Sequence, residues 1–327
     1  MAANMKLASY RINGVESFGV ASDNHIIDLC ALAEHRLADN LLDLICQRDA
    51  GLKKVQDMID APTSQSSIPL DEIDWLPPVQ LPGKICGIAM NNSASNNRKI
   101  SAPDHPAFFL KPSSCLRGHK ETITVRSYYG SVHPEPELCA VIGATTRDVT
   151  PDQALEYIFG YAIFNDITGN GMRSEDLFRY YALYAADNNS EALERREQHL
   201  SYAGRYKGTD DFGVMGPWLV TRDEIQNPDD LAVECRVGGE VVALDSTSYY
   251  NFKVAEVVSF ISQFQTLMPG DVISFGTAFK PSSNRRSIHH CNLQVVDGPI
   301  EISIEGLGTQ CSPVDRVTQD IKNWRFE

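Results

Sequence analysis

The segment His133-Pro134-Glu135-Pro136-Glu137-Leu138 places the tightest local constraint on the backbone of this 327-residue chain. A residue that precedes a proline is pushed out of the helical region into extended geometry, so the segment is expected to be extended. Side chains alternate between the two sides of an extended backbone, and Glu135 and Glu137 therefore project to the same side. Because proline cannot donate to a β-ladder, we expect the segment at a sheet edge or a bulge.

These paired carboxylates favour a cation between them. Two negative charges on one side of a strand repel each other, and carboxylate oxygens are the preferred ligands of hard divalent cations. The alternative is a solvated acidic edge, because most charged side chains lie at the surface. Asp166 is a third candidate ligand, since it ends a long apolar run that begins near Gly160. The alternative for Asp166 is a buried, hydrogen-bonded residue that caps a turn.

The charge balance limits the partners of the chain. The sequence has 29 Lys and Arg against 43 Asp and Glu, which gives a net charge of −14. Nucleic acids and anionic membrane surfaces attract basic proteins, so neither is an expected partner. We find no run of about 18 apolar residues and no apolar signal-peptide core near the first residue. Eight cysteines without a CxxC motif indicate reduced thiols, and together these features predict a cytoplasmic protein.

Strand patterns dominate the chain, with hairpins expected around Asn13-Gly14 and Gly238-Gly239. The Pro/Ser-rich stretch that begins at Ala61 predicts a boundary between a small N-terminal domain, residues 1–78, and a larger domain, residues 79–327. Helices are expected at about 30–58, from a capping box at Thr150 to about 159, and at about 253–266. The polar segment 174–204 is expected to be helical and to form a surface insertion or a lid.

Several motifs in this order resemble the fumarylacetoacetate hydrolase family over roughly residues 80–305. The first two are the Glu-x-Glu-Leu of Glu135–Leu138 and the Asn-Asp-x-Thr of Asn165–Thr168. The others are Phe108-Phe109-Leu110-Lys111-Pro112, Lys207-Gly208-Thr209-Asp210 followed by Gly216-Pro217-Trp218, and Pro269-Gly270-Asp271-Val272-Ile273 with Gly276-Thr277.

The resemblance implies an α+β fold that is mainly β, with a mixed β-roll catalytic domain behind a small N-terminal α+β domain, usually in a homodimer. It also implies that Mg²⁺ or Mn²⁺ is held by Glu135, Glu137 and Asp166. Lys207 is implied to stabilise developing negative charge, and His133 is a catalytic candidate whose alternative is a supporting or structural role. The implied substrate-binding residues are Gly276, Thr277 and Arg173.

One departure from the family pattern concerns the general base. Ser93 stands where many hydrolytic members have a histidine, and Asn96 stands where they have a glutamate. Neither side chain has a pKa suited to general base catalysis near neutral pH. A replacement base is sought in the segment 174–204, with His199 or a tyrosine as candidates, or in His133. The basic stretch 284–287 either faces an anionic substrate or forms an exposed loop.

The resemblance implies a metal-dependent hydrolase that cleaves a C–C bond of a 2-oxo acid or β-diketo acid, with an acylpyruvate-like small molecule as substrate. Such acids can chelate the metal, which then stabilises enolate charge. The first alternative is a lyase or isomerase on a 2-oxo acid, namely a decarboxylase, an enol–keto isomerase or a 2-oxo-3-deoxy sugar acid dehydratase. The missing base favours this alternative, because decarboxylation and enol–keto isomerisation need no activated water. The second alternative is a catalytically inactive metal-binding relic.

Overall fold

The computed structural model describes residues 5–22, 24–32, 37–60, 67–93, 96, 99–279 and 288–318. The helices are α1 Leu29–Leu32, α2 Leu41–Ile59, α3 Pro151–Ala154, α4 Asn170–Glu175, α5 Gly204–Gly208 and α6 Val254–Phe264. The first eleven strands are β1 Lys6–Ile12, β2 Val15–Ala21, β3 His25–Asp28, β4 Ser67–Pro69, β5 Asp74–Leu76, β6 Ile85–Ala89, β7 Ala107–Lys111, β8 Leu116–Arg117, β9 Ile123–Arg126, β10 Val132–His133 and β11 Pro136–Ile142. The remaining strands are β12 Ile158–Asp166, β13 Thr168–Gly169, β14 Leu177–Ala186, β15 Asn189–Ser201, β16 Gly213–Thr221, β17 Ala232–Val237, β18 Glu240–Ser246, β19 Val272–Thr277, β20 Ile300–Ile304, β21 Gly308–Ser312 and β22 Val314–Val317.

One large mixed sheet organises the molecule, and the predicted α+β, mainly β class is confirmed. Its strands run in the order β4-β3-β2-β1-β16-β12-β11-β19-β6-β7, with β5 beside β1 and β8 beside β16. The predicted hairpin at Asn13-Gly14 joins β1 to β2, and β1 also pairs with β16 through Lys6 and Val220. The N-terminal strands therefore extend the sheet of the larger region, and the division into two domains stays a prediction.

The central strands β11 and β12 are buried on both faces. Successive residues of β11 enter different cores: Leu138 packs on one side of the sheet, and Cys139 packs on the other. Helix α2 covers the face of Cys139, and helix α6 covers the face of Leu138. This double burial explains why β12 is a continuous apolar run. If one face of the strand met water, apolar and polar residues would alternate along it.

Two of the expected helices are shorter in the structure. The helix predicted at about 30–58 is α1 followed by α2, and residues 33–36 lie outside the described part. Helix α2 is interrupted at Arg48, whose φ of 52° is left-handed. The predicted capping box at Thr150 is present, but α3 ends at Ala154 and β12 begins at Ile158. The helix predicted at about 253–266 is α6, and the hairpin at Gly238-Gly239 joins β17 to β18.

The helical expectation for residues 174–204 is wrong for most of the segment. Residues 177–201 form the long hairpin of β14 and β15, paired from Leu177 with Ser201 to Ala186 with Asn189. The run Phe178–Tyr184 is rich in aromatic residues, which favour strands, and this signal outweighs the helix-forming Glu and Arg of β15. The expected surface position is confirmed, because β14 and β15 are largely exposed.

All eight cysteines are free thiols, as their spacing predicted. Among the described residues, no helix has the length and apolar character needed to cross a membrane.

His119 couples the stability of this fold to pH. Its Nδ1 accepts a hydrogen bond from the Cys311 amide at 3.0 Å, and its ring packs edge-on against Trp75. Burial, assisted by the charge of Lys120, lowers the pKa of His119 from 6.5 to about 4. As the pH falls below 6.5, the unfolded chain binds this proton more readily than the folded chain does. The free energy of unfolding therefore decreases, by about 3 kcal/mol in all when the pH reaches 4.

His119→Asn keeps an acceptor near the Nδ1 position but cannot titrate. The stability advantage of wild type over this variant should therefore shrink when the pH is lowered from 7 to 5. Denaturant unfolding at the two pH values measures both free energies. An advantage of the same size at both pH values would contradict the assignment.

Candidate active site

Three carboxylates converge where β11 begins and β12 ends. The two strands are antiparallel and place Pro136 opposite Asn165, so that Asp166 lies beside Glu135. The Asp166 amide donates to the Glu135 carbonyl at 3.0 Å, and the Asn165 side chain accepts from the Glu135 amide at 3.0 Å. One carboxylate oxygen from each of Glu135, Glu137 and Asp166 lies within 4.8 Å of the other two. The three predicted metal ligands therefore form one cluster.

Lys207 brings a positive charge into this cluster. Its Nζ donates to Glu135 Oε2 at 2.7 Å and also to Asp166 Oδ2. Burial favours the neutral amine, but the charges of Asp166 and Glu135 outweigh it and raise the pKa of Lys207. Burial alone would raise the pKa of Glu135. The Lys207 charge and the His133 hydrogen bond outweigh burial, so the pKa of Glu135 is lowered. Glu135 is therefore ionised and Lys207 protonated near neutral pH.

Glu137 is a carboxylate of the cluster whose ionised form is disfavoured by its surroundings. Its Oε2 accepts hydrogen bonds from Ser274 Oγ at 2.5 Å and from the Gly276 amide at 3.0 Å. Burial and the negative charges of Asp166 and Glu135 raise its pKa well above the ordinary value. A bound divalent cation would relieve this repulsion, and the all-oxygen donor set matches the preference of Mg²⁺ and Mn²⁺. The residues present therefore fit the implied metal.

His133 lies behind Glu135. Asn170 Nδ2 is 3.2 Å from His133 Nδ1, and His133 Nε2 is 3.1 Å from Glu135 Oε1. The side-chain nitrogen of Asn170 can only donate, so Nδ1 accepts and Nε2 carries the proton donated to Glu135. His133 is fully buried and is not among the residues that line the adjacent cavity. This position favours a supporting role over direct contact with a substrate, and both roles stay predictions.

Sequence reasoning gave no role to two residues that hold the cluster. Lys111, at the end of β7, donates from Nζ to Asp166 Oδ1 at 2.6 Å and to the Phe212 carbonyl at 3.1 Å. The other is Asn165, which positions Glu135. A lysine that ends an apolar strand was an available signal, because a buried ammonium needs a partner. The signal for Asn165 was its place next to Asp166.

A cavity of about 340 Å³ opens beside the carboxylates. Its lining consists of Ile88, Ala89, Met90, Asn92, Phe109, Glu135, Glu137, Arg173, Ala203, Tyr206, Lys207, Thr277, Phe279 and Ile288. Arg173 lies over the Tyr206 ring, 5.9 Å from its centroid, and Thr277 accepts a hydrogen bond from Asn92 at 3.4 Å. A larger cavity of about 550 Å³, between α2 and the sheet, contains none of the predicted site residues.

Gly276 does not line this cavity, because its amide is directed at Glu137. Its φ is +85°, and a Cβ there would lie 2.9 Å from the Ile88 carbonyl oxygen. Glycine is thus required for the turn that brings the amide to Glu137. A direct contact between Gly276 and a substrate stays a prediction.

The residues at the two usual base positions, and the candidate base His199, are not part of the cavity lining. Asn96 donates to Asn251 Oδ1 at 3.0 Å, and Ser93 Oγ is buried without a hydrogen-bond partner among the described residues. His199 lies on β15, 2.8 Å from Glu197, and is exposed. The basic stretch 284–287 is outside the described residues.

Comparisons with known proteins match this architecture. The family model described as fumarylacetoacetate (FAA) hydrolase C-terminal matches residues 84–315. A maleylpyruvate hydrolase from Aquipseudomonas alcaligenes is 36% identical over 248 residues, 72% of this chain and 75% of its own. A mitochondrial oxaloacetate tautomerase from Bos taurus is 27% identical over 283 residues, 84% of this chain and 81% of its own.

Among solved structures, the fumarylacetoacetate hydrolase of Exiguobacterium antarcticum superposes with a TM-score of 0.73 and 27% identity. The match covers 96% of this chain and 100% of that one. The family model spans well over half of this chain, and its residues include all three carboxylates and Lys207. This chain belongs to the fumarylacetoacetate hydrolase family.

Proposed function

We propose that this protein is a divalent-metal-dependent hydrolase that cleaves a C–C bond of a 2-oxo acid or β-diketo acid of the acylpyruvate type. The observation that carries the proposal is the cluster of Glu135, Glu137 and Asp166, with the Lys207 ammonium between two of them at the wall of a cavity. The similarity to a maleylpyruvate hydrolase supports this substrate class. We further propose that the enzyme is a cytoplasmic homodimer that uses Mg²⁺ or Mn²⁺.

A divalent cation held by the three carboxylates would act as a Lewis acid on the 2-oxo group. Lys207 is protonated in a buried setting, where a fixed positive charge strongly stabilises negative charge that develops nearby. Arg173 and Thr277 lie in the same cavity and can bind substrate carboxylates by charge and by hydrogen bonding. His133 acts through Glu135, whose orientation it fixes.

A second candidate is an isomerase that interconverts the enol and keto forms of a 2-oxo acid. It is favoured by Ser93 and Asn96, which occupy the positions of the usual base pair and cannot activate water near neutral pH. Enolisation needs proton transfer but no hydrolytic water. The similarity to an oxaloacetate tautomerase supports this candidate.

A turnover screen separates the two candidates. Acylpyruvates, oxaloacetate and 2-oxo-3-deoxy sugar acids are each supplied with Mg²⁺ and, in parallel, with a chelator. Metal-dependent release of pyruvate from an acylpyruvate would support the hydrolase. Enol–keto conversion of oxaloacetate without bond cleavage would support the isomerase. Metal binding without turnover of any substrate would contradict both and indicate the inactive relic.

Restoring the base pair tests whether its absence limits hydrolysis. The double variant Ser93→His with Asn96→Glu should raise acylpyruvate hydrolysis by part of the roughly 10²–10⁴-fold that a positioned general base supplies. Ser93→Asn with Asn96→Gln is the matched control, since it adds similar volume without a base. Efficient hydrolysis by wild type, with no gain in the double variant, would show that the base lies elsewhere. His133 and His199 would then be the first residues to replace.

A further inference from the structure

The hairpin of β14 and β15 stands apart from the other sheets. In the described part of the chain, these strands pair only with each other and form a two-stranded sheet. Eight of the ten residues of β14 are exposed. An isolated two-stranded hairpin is marginally stable in water, and three or more strands are usually needed. The hairpin therefore has the character of a sheet that lacks a neighbouring strand.

The two free edges of this hairpin differ in chemistry. Strand β15 carries five charged residues, which are Glu191, Glu194, Arg195, Arg196 and Glu197. Strand β14 carries one, Arg179, in the sequence LFRYYALYAA. Charged residues blunt an edge strand against pairing, whereas a long aromatic strand without proline invites it. The edge of β14 is thus the one built to accept another strand.

The exposed side chains of β14 are also unusually apolar. Tyr181 is 64% exposed and Leu183 is 60% exposed, on the same face of the strand. Phe178 is 59% exposed on the opposite face, beside Tyr180 and Tyr184. A partner strand with the same pattern would cover these rows on both faces at once, through cross-strand pairs of aromatic and aliphatic residues.

We propose that β14 pairs antiparallel with β14 of a second copy of this chain and forms a continuous four-stranded sheet across a two-fold axis. Such an axis, perpendicular to the sheet, keeps like faces on the same side and makes a closed, self-complementary interface. The pairing can be centred on Tyr181 or on Ala182. Arg179 then lies opposite Leu183 or Ala185, so the two arginines do not oppose each other. This interface is independent of the proposed catalytic function.

Cysteine cross-linking tests the pairing directly. Tyr181→Cys and Ala182→Cys are made separately in a background where the exposed thiols are removed by Cys30→Ser and Cys46→Ser. At the centre of an antiparallel pair, a residue and its symmetry mate have Cα atoms about 4.5–5.5 Å apart, which a disulfide can bridge. Mild oxidation should convert most chains of at least one variant into covalent dimers. Glu194→Cys, on the opposite edge of the hairpin, is the matched control and should stay uncross-linked.

The mass of the assembly gives a second measurement. Tyr181→Lys with Leu183→Lys places charges on the β14 edge and should halve the mass measured by light scattering at micromolar concentration. Glu194→Lys with Glu197→Lys, on β15, should leave the mass unchanged. The proposal is overturned if wild type is a monomer of 36.2 kDa, if the β14 variant keeps the wild-type mass, or if neither central cysteine cross-links.

Discussion

Replacing Lys207 with methionine should lower kcat for the 2-oxo acid substrate by about 10²–10³-fold and leave Mg²⁺ binding at least as tight as in wild type. Methionine fills most of the lysine volume but lacks the charge that would stabilise the reacting oxygens. The same ammonium bonds to Glu135 and Asp166, so its removal frees two carboxylates for the metal. Steady-state kinetics at saturating Mg²⁺ and calorimetric titration measure the two effects separately.

Lys84→Met is the matched control for Lys207→Met. Lys84 also forms an ion pair with a buried aspartate, Asp271, but neither residue lines the cavity of the site. This variant should lose stability and keep kcat. Equal losses of kcat in the two variants would mean that Lys207 has only a structural role.

Replacing Glu137 with glutamine should weaken Mg²⁺ binding by more than about 100-fold, because one of three ligand charges is lost. The metal-free protein should be as stable as wild type or more stable. Burial and the negative charges of Asp166 and Glu135 oppose the ionisation of Glu137 and raise its pKa. Glutamine cannot ionise, so it does not carry this unfavourable charge. Thermal unfolding with and without Mg²⁺ measures both effects, since a ligand that binds the folded state raises its Tm.

Asp211→Asn is a suitable comparison for Glu137→Gln. Asp211 is buried and accepts from the Thr124 amide at 3.0 Å, but it does not line the cavity. Its variant should lose stability and retain the rise in Tm that Mg²⁺ produces. If Mg²⁺ stabilises Glu137→Gln as much as wild type, the metal site has been placed on the wrong residues.

The sequence was most informative where the chemistry is local. Two X-Pro pairs fix the backbone around Glu135 and Glu137, and their shared side follows from strand geometry alone. Asp166 joins these two carboxylates only because β11 pairs with β12. The sequence indicated its role only through its position as an isolated charge in an apolar run. Lys207 had no local signal of burial and was predicted only through the family resemblance.

Long-range pairing was the part that sequence reasoning missed. Nothing in the residues of β1 indicates that Lys6 pairs with Val220, more than two hundred positions away. Lys111 likewise reaches Asp166 only because the fold brings β7 to the end of β12. In residues 174–204, the charged residues of β15 resemble a solvated helix, and the strand period becomes clear only when β14 is set beside β15.

The metal dependence of turnover is the most direct test of the carboxylate site. Wild-type protein is stripped with a chelator, dialysed and titrated with Mg²⁺, while turnover of the best acylpyruvate or oxaloacetate substrate is recorded. A parallel calorimetric titration in the same buffer measures binding. We predict that turnover starts near zero and rises with the half-saturating concentration of a single binding site, and that Glu137→Gln shows neither response. Full turnover in the presence of the chelator would contradict a mechanism built on Glu135, Glu137 and Asp166.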